Sequence, residues 1–201
     1  MSNLTSLIDY IESLYESYDL FSSSMNGREN FSKDQDRQLI YGEIKLHEIA
    51  KAFDFLDLDS EYRFIDYGSG AGKIVLLANH LNIFRQCVGI ELVTTLYEIS
   101  EEVKSVYLNS TNSINKIAYF NRNFLHLNLN QIKCCIYTNS ICFSLETCDQ
   151  MALKFNHMVT GSYIISTKHL TLGENFSDVV HLDSIEASWG ESSLFIYQKI
   201  K

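Results

Sequence analysis

The sequence predicts an α/β fold in which helices cover both faces of a mostly parallel, seven-stranded sheet. After residue 58, short apolar runs alternate with helix-periodic stretches, which is typical of parallel strands joined by crossover helices. The last two strand-like runs have no helix between them, so we expect an antiparallel hairpin at one edge. The predicted elements are strands near 62–67, 85–91, 117–121, 133–138, 161–167, 178–186 and 193–200, with helices near 73–82, 92–107 and 146–158.

Helical patterns also precede the first strand. Apolar residues recur at spacings of three and four over 4–18, which predicts an amphipathic helix that caps the domain or, alternatively, binds a partner. The polar stretch 22–28 is predicted to be a loop, and a second apolar pattern over 46–56 predicts another helix. We therefore divide the chain into a helical cap with a covering loop, residues 1–57, and a main domain, residues 58–201.

The 201-residue chain is acidic, with a formal net charge of −9 and a pI near 5.1. Nucleic acids and anionic membranes favour clustered Lys and Arg, so we expect neither as a partner and favour a basic protein or a small molecule. The six histidines show no metal-ligand spacing, and we predict no metal site. The sequence does not indicate an oligomeric state.

The cysteines and the N-terminus bear on the compartment. The five cysteines show no C-x-x-C spacing, and their odd number predicts reduced, buried thiols instead of a disulfide framework. No apolar stretch approaches the length that spans a bilayer, and the N-terminus lacks the basic and then apolar pattern of a signal peptide. We therefore expect a cytoplasmic protein.

A glycine-rich turn follows the first predicted strand after residue 58. The strand ends at Asp66, the turn contains Gly68, Gly70 and Gly72, and an apolar-periodic helix begins at Lys73. Glycines permit positive φ and let the backbone approach a ligand, while the amides at the start of the helix point into the same gap. Strand, turn and helix together predict half of a nucleotide-binding βαβ unit.

Three ligands are compatible with such a turn, and the spacing separates them. A phosphate-binding P-loop needs four residues between its first glycine and its Gly-Lys pair, whereas three separate Gly68 from Gly72. A dinucleotide turn needs G-x-G-x-x-G, and Lys73 occupies the place of the last glycine. S-adenosylmethionine (SAM) carries a cationic ammonium, which Asp66 favours while repelling phosphates. The turn therefore indicates SAM.

A second acidic residue supports the same cofactor. Glu91 ends the next predicted strand, about twenty residues beyond the glycines, where a carboxylate can accept hydrogen bonds from both ribose hydroxyls. A solvated helix cap is the alternative interpretation of Glu91. An acid before the turn and another after the next strand are typical of SAM-dependent methyltransferases with a Rossmann-like sheet.

Short stretches within residues 38–200 resemble one family of these enzymes. Residues 41–43 read Y-G-E, residues 66–76 read D-Y-G-S-G-A-G-K-I-V-L and residues 89–91 read G-I-E. The later stretches are R-N-F at 122–124, N-S-I-C-F at 139–143, I-I-S-T-K at 164–168 and S-W at 188–189. Together they resemble the disruptor-of-telomeric-silencing type of non-SET protein lysine methyltransferase. The resemblance implies methyl transfer from SAM to a lysine of a protein substrate.

The resemblance also implies roles for the matching residues. Tyr41 and Glu43 belong to a loop that folds over the cofactor, while Asn123 and Phe124 stand where the family contacts adenine. The glycine turn and the following strand supply the other cofactor-binding residues, which are Asp66, Gly68, Ser69, Gly70, Gly72 and Glu91. The catalytic residues expected to form a lysine channel are Asn139, Phe143, Ser166 and Trp189.

The chain departs from the family at several positions. It has Ile44 in place of Thr, Lys73 in place of Gln and Asn123 in place of Asp. It also lacks a Tyr in register after Trp189 and a basic nucleosome-binding extension. A methyltransferase for small molecules or RNA, and a catalytically weak SAM-binding module, therefore stay open as alternatives.

Several candidate residues have a purely structural alternative. Phe143 and Trp189 are alternatively core aromatics, and Ser166 is alternatively a strand residue that faces a helix. The stretch at 41–43 is alternatively the start of a helix. Lys73 is expected to be solvated or to offset the charge of Asp66.

Overall fold

A computed structural model describes residues 2–111, 114 and 116–201, which form a seven-stranded sheet. The strands are β1 (Arg63–Tyr67), β2 (Gln86–Glu91), β3 (Ile117–Asn121), β4 (Cys134–Thr138), β5 (Tyr163–Ser166), β6 (Phe176–Ala187) and β7 (Gly190–Lys199). Their order is β3-β2-β1-β4-β5-β7-β6. Strands β1 to β5 are parallel, whereas β7 runs antiparallel to both β5 and β6. The predicted fold class is therefore confirmed.

Seven α-helices surround the sheet within the described part of the chain. They are α1 (Ser2–Ser13), α2 (Leu20–Gly27), α3 (Lys33–Gln38), α4 (Leu46–Phe53), α5 (Lys73–Leu81), α6 (Thr94–Ser110) and α7 (Leu145–Phe155), and a short 3-10 helix covers Phe124–His126. None of the described helices is both long enough and apolar enough to cross a membrane.

Alternating residues of the central strands supply two apolar clusters, one on each face of the sheet. On one face, Phe64 and Cys135 join a cluster with residues of α1, α4, α5 and α6. On the other face, Ile65 and Ile136 join a cluster that contains residues of α7. Because neighbouring strand residues point to opposite faces, each central strand is apolar on both sides and reads as a continuous hydrophobic run.

The stretch 22–28 was predicted to be a loop, and this prediction is wrong. Asp19 caps α2 by accepting hydrogen bonds from the Ser22 amide at 3.0 Å and the Ser22 hydroxyl at 2.7 Å. The helix is held by α6, because the Thr95 hydroxyl donates to the Ser23 carbonyl at 2.7 Å. Its serines made the stretch appear loop-like, whereas the cap and the packing surface decide its conformation.

The first helix is shorter than the apolar pattern. It ends at Ser13, and the chain turns before α2 begins. Leu7, Ile11 and Tyr15 are buried in the same apolar cluster as Phe64 of β1, and α1 packs against α4 and α5. The division at residue 57 stays a prediction.

The β6–β7 hairpin is longer than predicted and contacts an early part of the chain. Its two strands are joined by the short turn at Ser188 and Trp189. We call residues 41–45 the covering segment. This segment pairs with the tip of the hairpin: Ile44 forms a bridge with Ala187, and the Ser188 amide donates to the Glu43 carbonyl at 2.8 Å.

Candidate active site

A cavity of about 240 Å³ opens at the carboxyl ends of β1, β2 and β4. Its walls include Asp66 near the end of β1, the glycine turn that follows β1, Glu91 at the end of β2 and Asn139 just after β4. In open α/β sheets, ligands bind at this edge, beside the point where the strand order reverses. Here the reversal lies at β1, whose neighbours are β2 and β4.

The glycine turn needs glycine for two physical reasons. Gly70 has a φ of +53°, and a Cβ atom at this position would lie 2.6 Å from Cε2 of Tyr41. At Gly72 the φ is +90°, and a Cβ atom would lie 2.3 Å from the Tyr119 hydroxyl, which donates to the Gly72 carbonyl at 3.0 Å. Positive φ and close contacts together make a larger residue unfavourable at either position.

Glu91 is buried and joins the glycine turn to the end of β2. Its two carboxylate oxygens accept hydrogen bonds from the Gly70 amide at 2.8 Å and the Val93 amide at 2.7 Å. Burial raises the pKa of Glu91 above its ordinary value, although these amides act in the opposite direction. The Leu92 amide also acts on this carboxylate, which has about four acceptor sites, so the group can still accept from a ligand in the cavity.

Three buried polar atoms of residues that line the cavity have no hydrogen-bond partner among the described residues. They are Oδ1 of Asp66, Oγ of Ser69 and the hydroxyl of Tyr137. Burial, and then the neighbouring Glu91, raise the pKa of Asp66 well above its ordinary value. Buried polar atoms without partners are rare in folded proteins and are costly, so this end of the cavity is suited to a polar, cationic group.

Another part of the cavity wall is apolar and aromatic. The Phe124 ring stacks on Tyr67 with ring centroids 4.8 Å apart, and it lies 5.4 Å from the Phe143 ring. Asn123 caps the short 3-10 helix, because its side-chain oxygen accepts from the Leu125 amide at 2.8 Å. Asn123, Phe124 and Leu125 line the cavity, and the Phe124 ring gives this part a flat apolar surface that suits a purine.

The covering segment is held from both sides. The Asn139 amide donates to the Gly42 carbonyl at 2.9 Å, and the Tyr41 hydroxyl donates to the Glu43 carboxylate. From the hairpin, the Ser188 hydroxyl accepts from the Glu43 amide at 3.0 Å. Tyr41 and Glu43 therefore lie in an extended segment over the glycine turn, and the alternative of a helix start does not apply to them.

The four predicted channel residues are placed differently. Asn139 and Phe143 line the cavity. The Asn139 side-chain oxygen, which was expected to face a substrate, accepts instead from the Thr167 hydroxyl at 3.0 Å. Trp189 is 42% exposed and lies against Gly42, on the outside of the covering segment.

Ser166 is fully buried and does not line the cavity. Its hydroxyl lies 2.7 Å from the Ser140 hydroxyl and donates to the Lys168 carbonyl at 2.8 Å. The Lys168 ammonium in turn donates to the Phe143 carbonyl at 2.8 Å. Residues 166–168 therefore support the loop that carries Asn139 and Phe143, and Ser166 corresponds to the buried strand residue of the structural alternative.

Lys73 was expected to be solvated or to offset Asp66, and neither prediction is correct. Its side chain is 12% exposed, and its ammonium lies 2.7 Å from a Glu12 oxygen and 2.9 Å from a Glu43 oxygen. These partners come from α1 and from the covering segment. The expectation of solvation was wrong because it considered the first turn of α5 alone. In the structure, α1 packs against α5 and brings Glu12 to Lys73.

The α3 helix forms a wall of the cavity that was not predicted from the sequence. Gln35 and Gln38 line the cavity together with Thr147 of α7. The Gln38 side-chain oxygen accepts from the Ser144 amide at 3.0 Å and the Thr147 hydroxyl at 2.6 Å, so it joins α3 to α7. The capping box formed by Ser32 and Gln35 is the sequence signal that identifies this short helix.

One group of possible metal ligands lies outside the cavity. Ligand atoms of His47, Glu48 and Glu186 lie within 4.8 Å of one another among the described residues. The Lys51 ammonium already bonds Glu48 at 3.2 Å. We therefore assign no metal to this group.

A protein-family comparison identifies the chain. The family model described as "Histone methylation protein DOT1" matches residues 21–197. The chain belongs to the DOT1 histone methylation family. The match includes the covering segment, the glycine turn and the hairpin, and it confirms the predicted family and enzyme class. This DOT1-family protein is a SAM-dependent methyltransferase.

Solved structures share the fold of this DOT1-family chain. An RNA methyltransferase from Salinibacter ruber, solved with S-adenosyl-L-homocysteine, has a TM-score of 0.57 and 14% identity, over 77% of this chain and 92% of that one. An rRNA methylase from Streptococcus thermophilus has a TM-score of 0.55 and 13% identity, over 76% and 96%. At these identities the likeness shows the fold alone. None of the curated proteins compared with the chain matches it.

The residues of the cavity fit SAM. The unpartnered Asp66 oxygen and the Tyr137 hydroxyl suit the ammonium of the methionine part, and Glu91 suits the ribose hydroxyls. Asn123 and Phe124 stand in the aromatic part, where the adenine belongs. The roles of these individual residues stay predictions, whereas SAM as the cofactor is confirmed by the family.

Proposed function

We propose that this DOT1-family enzyme transfers methyl groups to lysine side chains of a protein substrate. The observation that carries the proposal is the covering segment, which Asn139 and the hairpin tip hold over the glycine turn of the cavity that Phe143 also lines. This arrangement unites the stretches on which the resemblance to lysine methyltransferases rests. A basic protein substrate also suits the net charge of −9.

The proposed chemistry requires positioning more than acid–base groups. SAM supplies a methyl group on a sulfonium; a neutral amine would attack this carbon in line as the carbon–sulfur bond breaks, which leaves S-adenosylhomocysteine and moves the positive charge to the amine. Holding the reacting groups in line at near-contact distance provides most of the acceleration in such a reaction. Asn139 and the hairpin tip fix the covering segment, which forms part of the wall of the cavity.

The lysine must arrive as a neutral amine, because an ammonium has no free electron pair. Leu39, Ile40 and Phe143 give the part of the cavity beside the covering segment an apolar wall. Transfer of an ammonium from water to such surroundings lowers its pKa and favours the neutral form. We assign Asn139 and Phe143 to this wall, and we treat Ser166 and Trp189 as residues that position it.

Methyl transfer to purified histones, to a lysine-rich peptide and to fractionated cell extract tests the proposal. We expect mass shifts of one or more methyl units on lysine, lost in Glu91→Ala and retained in Lys133→Gln, whose ammonium pairs with Asp59 before β4 begins. Methyl label that appears only in RNA or in small molecules would show that lysine is not the acceptor. Tight SAM binding without turnover on any fraction would favour a binding module.

We also propose a cytoplasmic, reducing location. All five cysteines are free, and four of them are buried. Fractionation of cells that express the tagged chain tests this location, and recovery in an oxidising compartment would contradict it.

A further inference from the structure

Lys73 joins three separate elements at the rim of the cavity. It is the first residue of α5, directly after the glycine turn. Its ammonium bonds Glu12 of α1 at 2.7 Å and Glu43 of the covering segment at 2.9 Å. Lys73 and Glu43 line the cavity, whereas Glu12 does not. The ion pairs therefore connect the cavity with a helix that lies outside it.

The surroundings of Lys73 leave it few other partners. Its ammonium lies 5.1 Å from the centroid of the Tyr15 ring, and the Tyr15 hydroxyl donates to the Ala71 carbonyl at 2.9 Å. Burial lowers the pKa of Lys73, but Glu43 and Glu12 outweigh that effect and the pKa is raised, so the ammonium stays charged. Two carboxylates bind one ammonium, and they would repel each other without it.

We propose that Lys73 is a positioning residue, which holds the covering segment over the glycine turn and makes retention of the cofactor depend on α1. Glu43 is bonded to Lys73, to the Tyr41 hydroxyl and, through its backbone, to Ser188. Tyr41 lies against Gly70 of the turn. A change in the position of Glu43 is therefore passed to the ring that covers the turn.

The charge is essential to this proposal. Glutamine, which the resembled family has at this position, carries no charge and cannot neutralise two carboxylates. With Gln at residue 73, Glu12 and Glu43 would face each other uncompensated, and the covering segment would move away from α1. Arginine retains the charge and offers several donors for both carboxylates.

The test measures binding of S-adenosylhomocysteine to the 201-residue chain by calorimetry, without any methyl acceptor. The result is therefore independent of whether lysine is the substrate. We expect Lys73→Gln to raise the Kd about tenfold and Lys73→Arg to restore most of the affinity. Glu12→Gln, at a position outside the cavity, is expected to weaken binding by a smaller factor, and the two changes combined should be less than additive.

Lys133 provides the matched control. Its ammonium lies 2.9 Å from Asp59 and 4.3 Å from the Tyr62 ring centroid, which repeats the Lys, carboxylate and Tyr contacts of Lys73 at the amino end of β4. Lys133→Gln should leave the Kd unchanged.

Hydrogen exchange of the backbone amides in residues 41–45 separates positioning from general stability. We expect exchange in this segment to accelerate in Lys73→Gln and in Glu12→Gln, with the amides of β1 and β4 unchanged. Unchanged Kd and unchanged exchange in both variants would overturn the proposal. A loss of affinity matched by Lys133→Gln, or a uniform acceleration over the whole sheet, would also overturn it.

Discussion

At the scale of single residues, the cavity contains a carboxyl group that reduces the stability of the free protein. Asp66 is buried beside Glu91, and one of its oxygens has no partner among the described residues. Such a group is retained where a ligand needs it, because burial of an unpaired acid opposes folding. The cost is offset when a cation binds.

Asp66→Asn should therefore stabilise the cofactor-free protein and weaken its binding of S-adenosylhomocysteine. We expect the free energy of unfolding to rise by about 1 kcal/mol and the Kd to rise at least ~tenfold. Thermal unfolding and calorimetry measure both quantities. A variant that loses stability while keeping its affinity would contradict the role assigned to Asp66.

The pH dependence of this effect has a definite sign. Because the folded protein raises the pKa of Asp66 above its ordinary value of 3.8, the folded state binds the proton more tightly than the unfolded state. The wild type should therefore lose stability relative to Asp66→Asn as the pH rises from 3.8 through the folded pKa. Denaturation at a series of pH values checks this, and a difference that is independent of pH would contradict it.

Gly70→Ala should abolish tight cofactor binding, because its Cβ atom would lie 2.6 Å from the Tyr41 ring. The backbone strain of a positive φ adds about 1 kcal/mol. Gly161→Ala is the matched control, since Gly161 has a φ of +87° and its nearest neighbour would lie 3.7 Å away. We expect both variants to be destabilised and only Gly70→Ala to lose affinity in calorimetry. Equal affinities would contradict a steric role of Gly70.

At the scale of elements, the tip of the β6–β7 hairpin supports the covering segment. Ser188 bonds the Glu43 amide, and Trp189 lies against Gly42. Replacing Ser188 and Trp189 by Asn and Gly retains a two-residue hairpin turn but removes both side-chain contacts. We expect the Kd for S-adenosylhomocysteine to rise about fivefold, which corresponds to about one hydrogen bond. Calorimetry measures this, and unchanged affinity with intact strands would contradict it.

Elements whose residues meet at a sheet edge were predictable, whereas contacts between elements were not. Parallel strands end at one edge, so the glycine turn, Glu91 and Asn139 were expected near one another, and all of them line the cavity. Ser166 and Ile164 are two residues apart in β5 and therefore point to the same face of the sheet. Because Ile164 packs in the apolar cluster that contains residues of α7, this alternation indicates that Ser166 is buried. The ion pairs of Lys73 depend on how α1 packs, which no local pattern specifies.

At the scale of the whole molecule, the core shields four of the five thiols. Cys87, Cys134, Cys135 and Cys148 are buried, and burial raises the pKa of Cys87 and of Cys134 to about 12. Cys142 is partly exposed. Brief alkylation of the native protein should therefore label Cys142 alone, and Cys142→Ser should remain unlabelled. Mass spectrometry counts the labels, and rapid labelling of further thiols would contradict this packing.

The pairing between the covering segment and the hairpin tip has a consequence for synthesis of the protein. Glu43 and its partner Ser188 are separated by 145 residues, and β7 must enter the sheet between β5 and β6. The ribosome synthesises Asp66, the glycine turn and Glu91 long before it synthesises the hairpin. A nascent chain therefore carries its cofactor groups uncovered, and the covering segment finds its partner only after the hairpin has been synthesised.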